Sequence, residues 1–424
     1  MARKKKRKKH VKNKILKYSI IIGIVSLVIY KGYYFYKSLT LDTMDIKANI
    51  NDYYIYGTHF NMEGTLNEIR YDKFDLVLFN GKFKSYKLNI EENDKSIKFT
   101  LSDKINDGIF LENIKPGKYY MFIRGCTNKT CNYYKLKNKT SYDNTKYYTL
   151  SNKRRKIVIN SENKYQTMSF NVTKYYKDDT YDIVLDPGHG SLDGGSLSYD
   201  QKYNESDLVM DISKTIEQIL NKRGIKTKLT RNENDKHITE AYNFSNSEAI
   251  GRAILPKKVN SKYVFSIHLN SIEDESVNGI EVYLANNMDY LLANTIVKNV
   301  RKKTDIKVST KYDGKVKNGI YVRNFTQEEL TGENETLDVD YDIQENTNYL
   351  FMIREPGCKI TGAYVDKRNK DTIGYNPYYK SNVGVEAYLL ELGYITNAED
   401  LKYIVDNKDE YAKVIADSIY DYLN

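Results

Sequence analysis

The sequence predicts three structural parts: an N-terminal transmembrane helix, an all-β sandwich-like domain, and an α/β domain whose mostly parallel sheet is flanked by helices. Three observations support this fold class. An apolar run follows a basic N-terminus, a long central stretch contains short β-type segments without helical periodicity, and the C-terminal part alternates strand-like and helix-like patterns. The predicted boundaries are a basic tail at 1–17, a membrane anchor at 18–36, a β-rich domain at 40–172, a linker at 173–180 and the α/β domain at 181–424.

The N-terminal segment has the pattern of a retained signal anchor. Ten of the 66 basic residues lie within residues 1–17, and the remaining 56 balance the 56 acidic residues, which argues against a nucleic-acid-binding surface. The segment from Tyr18 to Tyr36 contains one charge, Lys31, and has about the length of helix that crosses a bilayer. No small-residue cleavage site follows it. We therefore expect a single-pass protein of the cell membrane, with a cytoplasmic N-terminus and an extracellular body, rather than a cleaved export signal.

The β-rich domain is predicted from short β-branched and aromatic segments that are separated by turn dipeptides. Clear examples are Phe74–Phe79, Ser96–Leu101, Lys118–Ile123 and Arg155–Ile159. The sequence of this stretch contains no grouping of acids, histidines or glycines that indicates a reactive site.

The chain contains three cysteines. Cys126 and Cys131 bracket a short turn, so either they form a disulfide across a hairpin, which an extracellular protein permits, or their spacing is accidental. Cys358 is the third, so the number of cysteines is odd.

The α/β domain is predicted from an alternation of buried-strand and amphipathic-helix patterns. The predicted strands are 182–185, 225–229, 263–267, 279–284 and 387–395, and the predicted helices are 206–222, a segment that begins near residue 291, and one or two helices from residue 398 onward.

Polar side chains follow or interrupt three of these predicted strands. His189 stands on a sharp Pro-Gly turn directly after the first strand, and His268 follows the strand that ends at Ile267. Glu391 interrupts an apolar run, and a lone buried carboxylate needs a cation, a metal or a proton-transfer role. Functional groups in open α/β sheets collect at the carboxyl ends of strands, so these three side chains are expected to share one site.

Glu205 is the fourth member of the expected site. It lies at the start of the helical pattern that ends before Gly224, between the first two strands of the α/β domain. Two imidazoles and one carboxylate form a known ligand set for catalytic zinc, with a fourth position left open for water.

Four motifs in order carry a family resemblance: DPGHG at 186–190, Glu205, SIHLNS at 266–271 and LLELGYITN at 389–397. Together they resemble the signature of zinc-dependent N-acetylmuramoyl-L-alanine amidases, which cleave stem peptides from peptidoglycan, and the likeness extends over residues 180–424. It implies that His189, Glu205 and His268 bind one Zn²⁺ and that Glu391 is the catalytic glutamate. The bond cleaved would join N-acetylmuramic acid to L-alanine. The expected partner is therefore peptidoglycan, and no sequence feature identifies a protein activator.

Three further residues are candidates, and two of them, Asp186 and Asn270, have two interpretations each. Asp186 either orients a metal ligand or caps the turn that follows it. Asn270 is either a substrate contact or a loop hydrogen bond. Arg252 belongs to a segment where the resemblance is incomplete, because Leu255–Val259 replaces the residues that the family usually shows, and this affects the expected substrate groove more than the metal site.

Residues 325–380 form a longer insertion than the family resemblance predicts, and it begins with the acidic run from Glu328 to Glu345. It is either a lid over the metal or a solvated variable loop. The β-rich domain is correspondingly either a wall-contacting module or a passive spacer.

Three function classes remain open on the sequence alone. The first is a cell-wall amidase, the second is a catalytically inactive wall-binding scaffold, and the third is a zinc peptidase or deacylase that acts on another amide.

Overall fold

The structure is a computed structural model of the chain. It describes residues 18–31, 47–67, 71–93, 95–102, 108–138, 145–150, 153–160, 163–190, 193–232, 251–309, 311, 318–326, 329, 346–362 and 376–423. The basic tail at 1–17 and most of the acidic run in the predicted insertion lie outside these residues.

The prediction of a transmembrane helix is wrong for the described part of the chain. Residues 18–31 form an exposed apolar helix, α1, whose 14 residues would extend about 21 Å at ~1.5 Å per residue. The hydrocarbon core of a bilayer is ~30 Å thick. No helix among the described residues is both long and apolar enough to cross it. Residues 32–36 of the predicted anchor lie outside the described ranges.

The described residues of the β-rich region form twelve strands. Some of them, such as Ser96–Leu101, alternate buried and less buried residues, whereas Lys73–Phe79 is buried along almost its whole length. Their bounds are Lys47–Tyr56 (β1), His59–Leu66 (β2), Lys73–Phe79 (β3), Phe83–Lys87 (β4), Asn89–Asn93 (β5), Ser96–Leu101 (β6), Ile109–Phe110 (β7), Gly117–Cys126 (β8), Cys131–Asn138 (β9), Thr145–Leu150 (β10), Lys153–Asn160 (β11) and Ser169–Lys174 (β12).

These strands form one branched hydrogen-bonded network rather than the two separate sheets of the predicted sandwich. The main path runs β10-β11-β12-β8-β9-β1-β2-β6-β5, and β3 branches from β8. The branch exists because β8 is long: its first residues pair with β12 and its last residues pair with both β3 and β9. Cys126 and Cys131 are directly opposite each other at the β8–β9 turn and form a disulfide, whereas Cys358 is buried and reduced.

The C-terminal part has the mixed α/β architecture that the alternating pattern predicts. A six-stranded sheet has the order β14-β13-β15-β19-β16-β17, and only the β16–β19 pair among these five pairs is antiparallel. The sheet strands are Ile183–Pro187 (β13), Thr227–Leu229 (β14), Tyr263–Asn270 (β15), Glu281–Leu284 (β16), Ile320–Tyr321 (β17) and Glu386–Tyr394 (β19).

Helices pack against this sheet, and the longer ones bury an apolar face, whereas the short helix at Phe351–Gly357 is buried on nearly all sides. The described helices are Glu205–Lys222 (α2), Leu255–Lys258 (α3), Leu291–Lys303 (α4), Phe351–Gly357 (α5) and Ala398–Leu423 (α6), with a kink in α6 at Asn407. Asn204 caps α2 by accepting a 2.9 Å hydrogen bond from the backbone N–H of Asp207, which fixes where that helix starts.

A two-residue strand, Val383–Gly384 (β18), connects the two parts of the chain. It precedes β19 directly in sequence but pairs in parallel with Ile55 and Tyr56 of β1. The β-rich region therefore packs at the amino-terminal ends of the parallel strands, opposite to the ends that carry His189, His268 and Glu391.

Candidate metal centre

Strand register brings the predicted site residues to one edge of the sheet. Pro187 of β13 is opposite Ile267 of β15, so the residues that follow them, Gly188 and His268, are neighbours. His268 is in turn opposite Glu391 of β19. Three separate strands thus deliver their polar side chains to the same place, as expected for carboxyl ends of parallel strands.

His189, Glu205 and His268 form a compact group of potential metal ligands. One ligand atom from each lies within 4.8 Å of the others. Glu205 stands between the two rings: its Oε2 is 3.0 Å from Nε2 of His189, and its Oε1 is 2.9 Å from Nδ1 of His268. Two imidazoles and a carboxylate are the donor types that a catalytic zinc takes from a protein.

The backbone holds the Glu205 carboxylate in this position. Oε2 accepts a 3.1 Å hydrogen bond from the N–H of Ser196, and Oε1 accepts a 3.0 Å hydrogen bond from the N–H of Leu269. Burial raises the pKa of Glu205, but hydrogen bonds to His189 and His268 outweigh it and hold the pKa well below its usual value. The carboxylate is therefore anionic at neutral pH.

The pKa of His189 is shifted in the opposite direction, upward. Burial lowers its pKa, but Glu205 and then Asp193 outweigh burial and raise it to about 9. An imidazole that gains a proton this readily lies in a strongly negative environment. Such an environment also attracts a metal cation.

Glu391 lies in a different environment although it is close to this group. Burial, the carboxylate of Glu205 and that of Glu281 raise its pKa to about 7, against the opposing effect of His268. Its Oε2 atom is buried and has no hydrogen-bond partner among the described residues. Glu391 thus places an ionisable oxygen without a hydrogen-bond partner among the described residues beside the ligand cluster.

Glycines leave the room that the cluster needs. A Cβ atom on Gly188 would lie 2.3 Å from Cε1 of His268, and one on Gly195 would lie 2.7 Å from Cδ2 of His189 and 2.8 Å from Oε2 of Glu205. Any side chain at these positions would displace a ligand. The glycines, the donor types and the unpartnered oxygen of Glu391 together fit a bound zinc ion.

Two buried arginines hold the turn that carries His189. The backbone of His189 is left-handed, with φ of 58°, which is unusual for a residue other than glycine. Arg231 donates to the carbonyl oxygens of Pro187 at 2.9 Å and Gly188 at 2.8 Å, and Arg252 donates to that of His189 at 2.6 Å. These hydrogen bonds stabilise the left-handed backbone of His189, which a residue other than glycine rarely adopts.

Asp186 and Asn270 make contacts within the protein. Asp186 is fully buried and accepts hydrogen bonds from Thr230 at 2.6 Å and Ser266 at 2.7 Å. Asn270 donates to Glu281 at 3.1 Å and accepts from the N–H of Ser271 at 2.9 Å. Asn270 thus has a loop hydrogen bond, which was one of its two predicted interpretations. The hydrogen bonds of Asp186 come from side chains of neighbouring segments rather than from the turn that follows it, so the choice between its two interpretations stays a prediction.

Two residues of the site, Arg231 and Asp193, were not predicted from the sequence. Arg231 lies two residues after the end of β14, and Asp193 follows His189 by four residues. The sequence feature linked to Arg231 is the glycine at 190. In the structure, a Cβ at this position would lie 2.6 Å from Nε of the arginine. Asp193 lies four residues after His189, but Asp186 is nearer to that histidine in sequence, so spacing alone does not single out Asp193.

A known protein family matches the part of the chain that contains this site. The family model for N-acetylmuramoyl-L-alanine amidases matches residues 183–421, which is more than half of the chain and contains all four predicted site residues. The chain belongs to this amidase family. The match begins at β13 and ends within α6, so the β-rich region lies outside it.

Curated relatives match a shorter segment. A probable cell wall amidase LytH from Staphylococcus epidermidis is 30% identical over 122 residues, and one from Staphylococcus aureus is 32% identical over 123 residues. Each match covers 28% of this chain and 37% of the relative. The chain therefore spans little more than a third of the length of these relatives.

Solved structures of amidases are also similar. N-acetylmuramoyl-L-alanine amidase AmiC2 of Nostoc punctiforme matches 58% of this chain and 99% of its own, with 22% identity and a TM-score of 0.37. The catalytic domain of CwlV from Bacillus (Paenibacillus) polymyxa var. colistinus matches 57% and 98%, with 20% identity and a TM-score of 0.37.

Proposed function

We propose that this protein hydrolyses the amide bond between N-acetylmuramic acid and L-alanine in peptidoglycan, with one zinc ion and a glutamate base. The observation that carries the proposal is the convergence of His189, Glu205 and His268 within 4.8 Å, on strand and loop ends next to Glu391. Membership of the amidase family supports the choice of substrate.

The three clustered side chains would hold the metal. Glu205 would contribute an anionic oxygen, and the two histidines would contribute the ring nitrogens that face it, Nε2 of His189 and Nδ1 of His268. A zinc ion bound by two neutral imidazoles and one carboxylate lowers the pKa of a bound water from ~15.7 toward ~7 and polarises a neighbouring carbonyl.

Glu391 would carry the protons. With a pKa of about 7 it is close to half ionised at neutral pH, so it can accept a proton from water and return it to the leaving amine of L-alanine. Its free Oε2 atom has no competing hydrogen bond among the described residues.

The same geometry argues against an inactive scaffold. Holding a buried carboxylate beside another carboxylate is unfavourable, and a protein that only bound cell wall would gain nothing from it. A zinc peptidase that acts on another amide could use the same metal ligands, and the family match supports the amidase over this alternative.

We also propose that the α/β part acts outside the cytoplasm as one domain over 181–424, with 40–172 as a second domain and 173–180 between them. Peptidoglycan lies outside the cytoplasm. The Cys126–Cys131 disulfide supports this location, because disulfides persist in oxidising compartments.

The proposal is tested by incubating the purified chain with defined muropeptides, with and without a chelator, and identifying the products by mass spectrometry. We expect free stem peptides that begin with L-alanine, no product after chelation, and recovery when Zn²⁺ is added. The variant E391Q should retain Zn²⁺ but turn over at least ~100-fold more slowly. Intact muropeptides in all samples would refute the proposed activity, and cleavage at another amide would support the peptidase.

A further inference from the structure

We propose that Asp193 is a positioning residue that fixes the tautomer and orientation of His189, so that Nε2 faces the metal. The inference rests on the zinc site proposed above. Asp193 was not among the residues predicted from the sequence.

The contact between these residues determines which ring nitrogen carries the proton. Oδ2 of Asp193 is 2.8 Å from Nδ1 of His189. An ionised carboxylate only accepts hydrogen bonds, so Nδ1 must be the donor. Nε2 of the same ring also lies 3.0 Å from a carboxylate, that of Glu205, so both ring nitrogens donate when no cation is bound. A cation bound between Nε2 and Glu205 would replace the proton on Nε2, and the Asp193 contact would keep the other proton on Nδ1. Carboxylates that accept a hydrogen bond from a metal-bound histidine in this way fix the ring and strengthen it as a ligand.

His189 needs such an anchor more than the other two ligands do. Glu205 begins a long helix and its carboxylate is held by two backbone N–H groups, and His268 lies within β15. His189 instead lies on a left-handed turn outside any helix or strand, and a quarter of its side chain is exposed. Without a hydrogen bond to Nδ1, its ring could rotate away from the cluster.

The backbone places Asp193 where it can make this contact. The N–H of Gly190 donates to the carbonyl of Asp193 at 2.7 Å, and the N–H of Asp193 donates back to Gly190 at 3.1 Å. This small hairpin brings residue 193 back over His189. The second oxygen of Asp193 accepts a 3.0 Å hydrogen bond from the N–H of Gly195, which fixes the carboxylate itself.

Metal affinity of the full chain tests the inference, with D193A and D193N as variants. D193A removes the acceptor, and we expect it to bind Zn²⁺ 10- to 100-fold more weakly than the wild type in a competition titration with a chromophoric chelator. D193N retains a neutral acceptor oxygen of the same shape, so its loss should be smaller. Substitution of Co²⁺ gives a second readout, since a changed ligand geometry alters the visible absorption spectrum.

The control is D207A. Asp207 is an exposed carboxylate only two residues from Glu205, and it bonds to Asn204 rather than to a ligand. This variant removes the same charge from the neighbourhood and should bind Zn²⁺ like the wild type. Equal affinity of D193A and wild type, or an equal loss in D207A, would overturn the role of Asp193. A wild-type chain that binds no Zn²⁺ would instead refute the proposed metal site on which the inference rests.

Discussion

The surroundings of Glu391 disfavour its ionised form. It is opposite Glu281 on the neighbouring antiparallel strand. Glu281 is fully buried and accepts hydrogen bonds from Ser309 and Tyr283, both at 2.6 Å. Neutral donors of this kind stabilise a buried anion without neutralising its charge, so Glu391 faces a fixed negative charge in addition to its own desolvation.

The pH dependence of turnover follows from this environment. Burial raises the pKa of Glu391 to about 7, and only the ionised form can accept a proton. We therefore expect kcat/KM to fall about tenfold per pH unit below pH 7 when muropeptide cleavage is measured from pH 4 to pH 8. A decline that starts only near pH 4.5 would show that Glu391 titrates like an exposed glutamate.

The same shift predicts a stability effect in metal-free protein. A carboxyl whose pKa is raised in the folded state contributes stability at low pH, and that contribution is lost as the pH rises through the folded value. E391Q cannot ionise, so at pH 8 with EDTA it should be more stable than the wild type by roughly 1–3 kcal/mol. At pH 4.5 the two proteins should unfold at nearly the same temperature. A constant difference at both pH values would indicate a packing effect instead.

At the scale of elements, the turn between β13 and α2 determines whether a metal site forms at all. Its chain direction is set by a proline at 187 and by glycines, and its carbonyl groups are held by Arg231 and Arg252. Gly188 matters for a steric reason rather than for a special backbone angle, because its missing Cβ leaves space for the ring of His268.

Replacement of this glycine by alanine should therefore weaken metal binding. In G188A the new methyl group would lie 2.3 Å from the His268 ring, so the ring must move, and we expect Zn²⁺ affinity to fall at least ~10-fold. G194A is the matched control in the same loop, since its nearest neighbour would be 3.9 Å away. Metal titration of both variants, with circular dichroism to verify folding, makes the comparison. Normal affinity of G188A would contradict the described geometry.

On the scale of the whole molecule, the β-rich region is attached at the end of the sheet opposite to the metal site. Ala387 at the start of β19 donates its N–H to the hydroxyl of Tyr56 at 3.2 Å, and Lys146 donates to the carbonyl of Ser261 at 2.9 Å just before β15. The described contacts of the β-rich region with the α/β part therefore lie at the end of the sheet that does not carry the metal-ligand cluster.

A buried ion pair network fastens this junction. Lys262 is 2.6 Å from Glu112 of the β-rich region and 2.9 Å from Asp182 of the α/β part, and all three side chains are largely buried. Burial lowers the pKa of Lys262, but Glu112 and Asp182 outweigh it and raise the pKa above its usual value. The ammonium group thus remains charged at neutral pH.

Removal of this cation should weaken the whole molecule. K262M leaves two buried carboxylates without their cation, which typically costs about 3–5 kcal/mol, so we expect a clearly lower unfolding temperature. K258M is the control, because Lys258 is exposed at the end of α3 and lies four residues away. Zn²⁺ affinity at 25 °C should be the same in both. An unchanged unfolding temperature of K262M would mean that the junction contributes little to stability.

The acidic run of the predicted insertion, from Glu328 to Glu345, lies almost entirely outside the described residues. Glu329 is described, and it forms an ion pair with Arg323. The choice between a lid and a variable loop therefore stays a prediction.

The sequence by itself determined the ligand cluster and the sheet that carries it. His189, His268 and Glu391 each follow or interrupt an apolar strand, and a parallel sheet collects such positions at one edge whatever the rest of the fold does. Local composition alone was a poor guide to the N-terminus, where the apolar run suggested a span that the described 14-residue helix does not provide.

Only the tertiary structure decided which groups support the ligands and how the two parts of the chain meet. Arg231 and Asp193 reach the His189 turn through hydrogen bonds that depend on a left-handed backbone angle, and no periodic pattern records such an angle. The Lys262 network joins residues 70 to 150 positions apart. Hydrophobic periodicity reports which face of an element is buried, but polar contacts between distant elements depend on register and turn geometry, which exist only once the chain has folded.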